Sequence, residues 1–337
     1  MTDRSTRSSR RSKKITFQQG CTMALDEAMA TDDTVFLLGE DVADREGGGT
    51  FKVTSGLSTK YGTDRVRSTP ISEQAIVGTA VGAAVAGLRP VAEIMLMNFI
   101  TLGLDQLVNH AAKLRFMSGG RTGVPLTVRT ATGAGGGTGG QHSDMLEAWL
   151  AHVPGLKVVV PSSPSEAKGL LLSSVLDDDP VVVVEHTQLY WTKGAAPEPG
   201  LRIPLGKANI ARHGTDVSVI TYGRPVGQVL ELADKLAGEG IDVEVVDLRT
   251  ISPLDERTVL ESVSRTRRAV IVHEAVGQFG VGAEVSARVN EELHGQLASP
   301  VVRVTSANAP VPFSRPLEDE YLYKISDVES AIRKSIA

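Results

Sequence analysis

"LKVVVPSSPSEAKGLLLSSVLDDDPVVVVE", residues 156–185, holds two valine-rich runs, 156–161 and 180–185, on either side of a helix-period segment at 164–177. Neither run alternates polar with apolar residues, so each reads as a strand covered on both sheet faces. Strand, helix and strand in that order form the unit of a parallel sheet wrapped by helices. The same alternation extends outward in both directions. Upstream lie "TVFLLGE" (34–40), "PVAEIML" (90–96) and "PLTVRT" (125–130), with helical candidates at 17–30, 73–88 and 101–117. Residues 186–206 then place three prolines and three glycines in 21 positions, the composition of a connection. Beyond it come "DVSVITYG" (216–223), "IDVEVVDLR" (241–249), "RAVIVHE" (268–274) and "PVVRV" (300–304), with helices near 225–239, 255–265 and 281–294. The reading is an α/β chain of two doubly wound domains, 15–190 and 207–337, joined by a linker at 191–206.

A length of 337 residues suits about two domains with a large buried core. The net charge of -5, with no folded stretch that gathers Lys and Arg on one face, argues against a nucleic-acid partner. Residues 1–14 carry six basic side chains and one acidic one without an apolar segment, which reads as a disordered basic tail and not a secretory leader. No apolar run reaches the roughly eighteen residues that a membrane span needs. The single Cys21 excludes an internal disulfide framework, and its place in "FQQGCTMALDEAM" (17–29) reads as a buried helical thiol suited to a reducing cytoplasm.

Two stretches stand out chemically. In "TPISEQAIVGTAVGAAVAG" (69–87) Glu73 heads a segment that carries no further charge through Leu88. Ser72 as a cap and an acid in the first turn explain it as a helix start. In "TATGAGGGTGGQHSDMLEAW" (130–149), Gly135, Gly137 and Gly140 satisfy G-x-G-x-x-G after a strand. A dinucleotide site also needs an acid at the end of the next strand. Here that strand runs into Pro161-Ser162-Ser163. The glycines read instead as an arm that presents His142, with Ser143-Asp144 behind it as a helix cap, and such framing fixes an imidazole for proton transfer near neutral pH. Paired cysteines, H-E-x-x-H, a Walker loop and G-x-S-x-G are all missing from the sequence.

Glu73 before an apolar helix, "PVAEIMLMNFITLGLDQLVNHAAKLRFMSGG" (90–120) and His142 after its glycine arm together resemble one family. It is the beta subunit of the thiamine-diphosphate-dependent first component of 2-oxo acid dehydrogenase complexes. The resemblance continues through "GEDV" (39–42), "PGLKVVVPSSPSEAKGLL" (154–171), "DLRTISPLD" (247–255) and "VHEAVGQFGVGAEV" (272–285), and covers residues 15–320 with spacing kept.

The resemblance implies a thiamine pyrimidine-binding domain followed by a transketolase C-terminal-like domain. Glu73 corresponds to the carboxylate that bonds the pyrimidine N1′ of thiamine and drives loss of the thiazolium C2 proton. Ile71 matches the backbone beside the pyrimidine, Met95 lies near the ring, and Phe99 matches the aromatic stacked on it. "MLMNF" (95–99) is similar to the pyruvate-type pattern M-x-x-N-F. His142 matches the His that assists acyl handover to lipoyl, although many relatives read His-Ser-Gln where this chain has His142-Ser143-Asp144. No G-D-G motif for diphosphate and Mg2+ occurs. The resemblance therefore implies an alpha subunit that holds them, an alpha2beta2 heterotetramer, and a lipoyl-bearing acyltransferase or other acyl carrier protein as acceptor. It also implies a structural K+ at Val124, Leu126, Thr127, Ser174, Asp177 and Asp179, where the residues alone read equally as a solvated turn. Two other functions fit the same fold: a two-component transketolase-like enzyme that moves a ketol unit to a carrier, and a non-catalytic scaffold, against which Glu73 and His142 both argue.

Overall fold

The computed structural model describes residues 14–337. Residues 1–13, with most of the expected basic tail, lie outside them. The first half runs β1 (Lys14–Thr16), α1 (Phe17–Thr31), β2 (Val35–Glu40), α2 (Leu57–Tyr61), β3 (Val66–Thr69), α3 (Glu73–Val85), β4 (Arg89–Leu96), α4 (Ala112–Met117), β5 (Thr127–Thr132), α5 (Glu147–Ala151), β6 (Lys157–Val159), α6 (Pro164–Val175), β7 (Val181–His186) and β8 (Lys193–Ala195). The second runs β9 (Asn209–Arg212), β10 (Val217–Thr221), α7 (Arg224–Ala237), β11 (Val243–Asp247), β12 (Thr250–Ser252), α8 (Glu256–Thr266), β13 (Ala269–Val276), α9 (Val281–Leu293), β14 (Val302–Ser306), α10 (Arg315–Tyr321) and α11 (Ile325–Ile336). No helix among the described residues is long and apolar enough to cross a membrane.

Two sheets form, as the alternation predicts. The seven-stranded one has the order β12-β6-β7-β5-β4-β2-β3 and the five-stranded one β14-β13-β10-β11-β9. Within them only the edge strands β12 and β9 run antiparallel. Five short strands, β1, β3, β8, β9 and β12, escape the sequence reading. Of these, β8, inside the predicted linker, pairs with β1, and β12, from the second half of the chain, pairs with β6 of the first sheet. Runs of three or four residues are too short to show a period.

Helix α1 starts on a reciprocal cap, in which Thr16 Oγ1 accepts from Gln19 N at 3.1 Å and Thr16 N donates to Gln19 Oε1 at 2.9 Å. With α6 it buries Phe17, Cys21, Leu25 and Met29 against Leu37, Val159 and Val183 of the sheet. On the opposite face Ile76, Val77 and Ala80 of α3 pack with Ile94, Val128 and Val184, and this core continues into Ile220, Tyr222, Val246 and Val285 of the second half. The two halves are thereby joined through a shared interior.

One buried charge group braces the first sheet. Arg129 bonds Glu185 through Nε and Nη2, each at 2.7 Å, and Glu93 through Nη1 at 2.6 Å, while the Tyr190 hydroxyl donates to Glu185 at 2.9 Å. Arg129→Ala would strand two buried carboxylates, so a loss of about 3–5 kcal/mol is expected in urea unfolding. A loss close to zero would mean that water reaches both acids.

Candidate functional site

Helix α3 begins at Glu73, but Ser72 is no side-chain cap, because its hydroxyl makes no capping bond. Glu73 itself is only 9 % exposed, and its carboxylate has no hydrogen-bond partner among the described residues. Ile71, two residues earlier, is 76 % exposed. A mostly covered acid with a free carboxyl beside an uncovered apolar side chain is a surface on which a ligand's ring nitrogen could share a proton. Burial, then the charges of Asp41 and Glu73, raise the pKa of Glu40 at the end of β2.

The single helix expected at 101–117 is instead a tight 3-10 segment (Met97–Gly103), a wide π turn (Gln106–Ala111) and α4. The tight segment packs closely on α3. Gly103 lies where a Cβ would stand 2.8 Å from Val77 Cγ2 and 3.5 Å from the Glu73 carbonyl oxygen, and the extra residue of the wide turn absorbs the change of axis. Phe99 projects from the tight segment and meets the His142 ring edge-on, with centroids 5.5 Å apart and planes at 77°.

His142 is half-buried. The loop that carries it is tied by Asn98, whose Nδ2 donates to Gly140 O at 2.9 Å and to Asp144 Oδ2 at 2.8 Å, while Asp144 N donates to Asn98 Oδ1 at 3.2 Å. Thr132 Oγ1 donates to Asp144 O at 2.7 Å, and the hydroxyls of Thr138 and Ser143 lie 2.6 Å apart. Ser143 and Asp144 are therefore loop staples and not a helix cap, since α5 starts only at Glu147 with Leu146 at its cap position. Asn98 enters the sequence reading only as the N of the M-x-x-N-F pattern; its role as a tie was not legible, because its partners lie more than 40 positions away.

Met95 lies near the end of β4. It lines a small cavity with Phe51, Val53, Glu93, Arg129 and Tyr190. The residues expected to hold K+ are near one another but already engaged. Lys157 Nζ donates to both Asp177 oxygens at 2.7 Å, Arg115 bonds Asp179, and Arg89 donates to the Asp177 carbonyl at 2.9 Å. The Leu126 carbonyl accepts from Val181 N at 2.9 Å and the Ser174 carbonyl from Asp177 N at 3.2 Å, while Val124 and Thr127 are buried beside them. The two acids expected at the ion are thus engaged by cationic side chains, which leaves the backbone carbonyls as the free part of that set.

Glu147, behind the His142 loop, accepts from the Tyr222 hydroxyl at 2.6 Å through Oε1, while Oε2 has no partner among the described residues. Burial pushes its carboxyl up to about 6. A carboxyl raised in the fold keeps a proton that the unfolded chain gives up, so this residue costs stability as pH rises from the unfolded value to about 6. Glu147→Gln is expected to stabilise the protein at pH 7.5 by about 2 kcal/mol in urea unfolding and to lose that advantage near pH 4.5. An advantage independent of pH would refute the account.

Comparison with known proteins agrees with the two-part architecture. Residues 13–192 match the family described as "Transketolase, pyrimidine binding domain" and residues 206–328 "Transketolase, C-terminal domain". The chain is 44 % identical over 332 residues to the beta subunit of acetoin:2,6-dichlorophenolindophenol oxidoreductase from Cupriavidus necator, covering 96 % of this chain and 98 % of that one. It is 44 % identical over 328 residues to the mitochondrial pyruvate dehydrogenase E1 component subunit beta of Bos taurus, covering 96 % and 91 %. Among solved structures, a split-gene transketolase described as an inactive beta4 tetramer superposes with a TM-score of 0.77 at 21 % identity over 96 % of this chain and 98 % of that one, a likeness of fold.

Proposed function

The chain belongs to the transketolase-like family of beta subunits of thiamine-dependent E1 dehydrogenase components, and on that premise we propose that it is the beta subunit of an acetyl-transferring, pyruvate-type enzyme. In this reading the chain works with an alpha subunit that holds the diphosphate and Mg2+, and passes the acyl unit to a lipoyl group. The observation that carries it is Glu73, mostly covered yet without a partner among the described residues, on the element packed under the Phe99–His142 segment. The "MLMNF" pattern at 95–99 favours pyruvate, and the fully buried Cys21 suits a cytoplasmic setting.

Thiamine diphosphate, when bound, supplies a nucleophilic thiazolium carbon and an electron sink for carbon–carbon cleavage. The residues of this chain do the rest. Glu73 holds a proton at the pyrimidine N1′, Ile71 and Phe99 offer apolar surface to the ring, and His142 exchanges a proton with the substrate oxygen and with the sulfur of the acceptor. Asn98 and Asp144 keep the His142 loop closed.

A second reading is acetoin cleavage, favoured by the full-length match to the acetoin enzyme's beta subunit. Both substrates deliver the same two-carbon unit, but pyruvate releases CO2 and acetoin releases acetaldehyde. The enzyme reconstituted with its alpha subunit, given each substrate and an electron-accepting dye, distinguishes them by the released product. Turnover of a ketose phosphate alone would favour the transketolase-like alternative, and no turnover of any of the three would overturn the catalytic reading. Because half of the cofactor site is assigned to the alpha subunit, the isolated chain is expected to bind thiamine diphosphate weakly or not at all. Tight calorimetric binding to it alone would contradict the half-site.

A further inference from the structure

We propose that Glu318, in the second half of the chain, is a positioning residue for His142: its carboxylate fills the anion-binding nest made by the glycine arm and sets where the imidazole stands. The arm alternates left-handed glycines, with φ +112° at Gly133, +99° at Gly135, +70° at Gly137 and +74° at Gly139. Such a backbone turns successive amides toward one point, a geometry that captures anions. Here the anion is internal. Gly135 N donates to Glu318 Oε1 at 2.8 Å, and Gly137 N donates to Oε1 at 3.1 Å and to Oε2 at 3.0 Å. Glu318 is fully buried and forms no ion pair among the described residues, so those two amides carry the solvation of its charge.

Neighbouring contacts make the same connection. Glu274 of β13 accepts from Ala134 N at 2.7 Å through Oε1 and bonds His186 Nε2 at 2.8 Å through Oε2. The stretch before α10 then covers the arm. A Cβ at Gly139 would stand 2.9 Å from Phe313, and one at Gly140 would stand 3.5 Å from Pro310 and from the Val311 carbonyl. His142 N donates to Gly139 O at 3.1 Å, so the imidazole follows directly on the pinned segment. The glycine pattern that suggests a phosphate site is thus used by a carboxylate more than 170 residues away.

The consequence for catalysis rests on the proposed role of His142, whereas the pinning itself is measurable without turnover. In the complex with the alpha subunit, Glu318→Gln keeps shape but removes the charge and one acceptor. Hydrogen exchange by mass spectrometry over residues 133–142 is expected to accelerate roughly 10- to 100-fold, with β5 and β13 unchanged. Glu318→Asp, which keeps the charge, is expected to restore part of the protection. Turnover to the lipoyl acceptor is expected to fall by about 10²-fold in kcat, the cost of a misplaced group, with KM for the substrate within about a factor of 3. In a His142→Ala background the same substitution is expected to cost nothing further, because it acts through His142. Unchanged exchange in the arm of Glu318→Gln would overturn the proposal, and so would a loss that adds fully to that of His142→Ala. Accelerated exchange in an enzyme that turns over none of the three substrates would leave the pinning standing and refute the functional reading instead.

Discussion

Glu73→Gln is expected to slow deuterium exchange at the thiazolium C2 of added thiamine diphosphate by roughly 10²- to 10⁴-fold in the reconstituted enzyme, followed by NMR. The argument starts from what Glu73 lacks. Glu73 is 9 % exposed as a residue and makes no side-chain hydrogen bond among the described residues, so its carboxyl is left free for a partner from outside the chain. An amide has the same shape but cannot hold a proton for a ring nitrogen, so the defect falls on cofactor activation. Folding is expected to be spared, with unfolding free energy within about 0.5 kcal/mol of the wild type, because no internal hydrogen bond is removed. Near-normal exchange in the variant would return Glu73 to a helix-start acid, and a large stability loss would point to an internal partner that the fold does not show.

The parts of the fold that were legible in the sequence are those with local causes. The valine runs at 181–184 and 158–160 lie fully buried in strands or strand ends, and the periodic segments at 17–31, 164–175 and 224–237 are helices. What stayed hidden depends on contacts far away in sequence. β12 joins the first sheet through Val158 and Val159, some 90 positions upstream. The wide turn at Gln106–Ala111 follows a close approach of Gly103 to Val77, 26 positions upstream. The site shows the same division. Glu73 and His142 could be singled out from their local framing, and a glycine arm was evident as an arm. Its filling by Glu318 and Glu274 was not legible, because neither acid carries any local mark of its partner. Asp144 shows how a local rule misleads. Its short acidic side chain suits a cap, yet Asn98 claims the carboxylate first.

His142→Ala is expected to separate the two ends of the catalytic cycle. If His142 serves substrate and acceptor protons, it is not needed at the thiazolium carbon, so C2 exchange is expected to stay near normal. Transfer to the lipoyl group is expected to fall by roughly 10²- to 10⁴-fold, the usual contribution of a positioned acid or base. An electron-accepting dye takes electrons without a proton delivered to sulfur, so dye reduction is expected to recover part of that loss. The geometry also offers a plain structural role, because the His142 ring packs edge-on against Phe99 at 5.5 Å and its removal uncovers that face. His142→Phe separates the two roles by restoring an aromatic ring without a titratable nitrogen. If the loss comes from proton transfer, this variant is expected to remain as slow as the alanine in lipoyl transfer while cofactor affinity stays at the wild-type level. Equal losses in exchange, dye reduction and lipoyl transfer for His142→Ala, all reversed by His142→Phe, would make the residue a packing element and leave the acyl handover to a group on the alpha subunit.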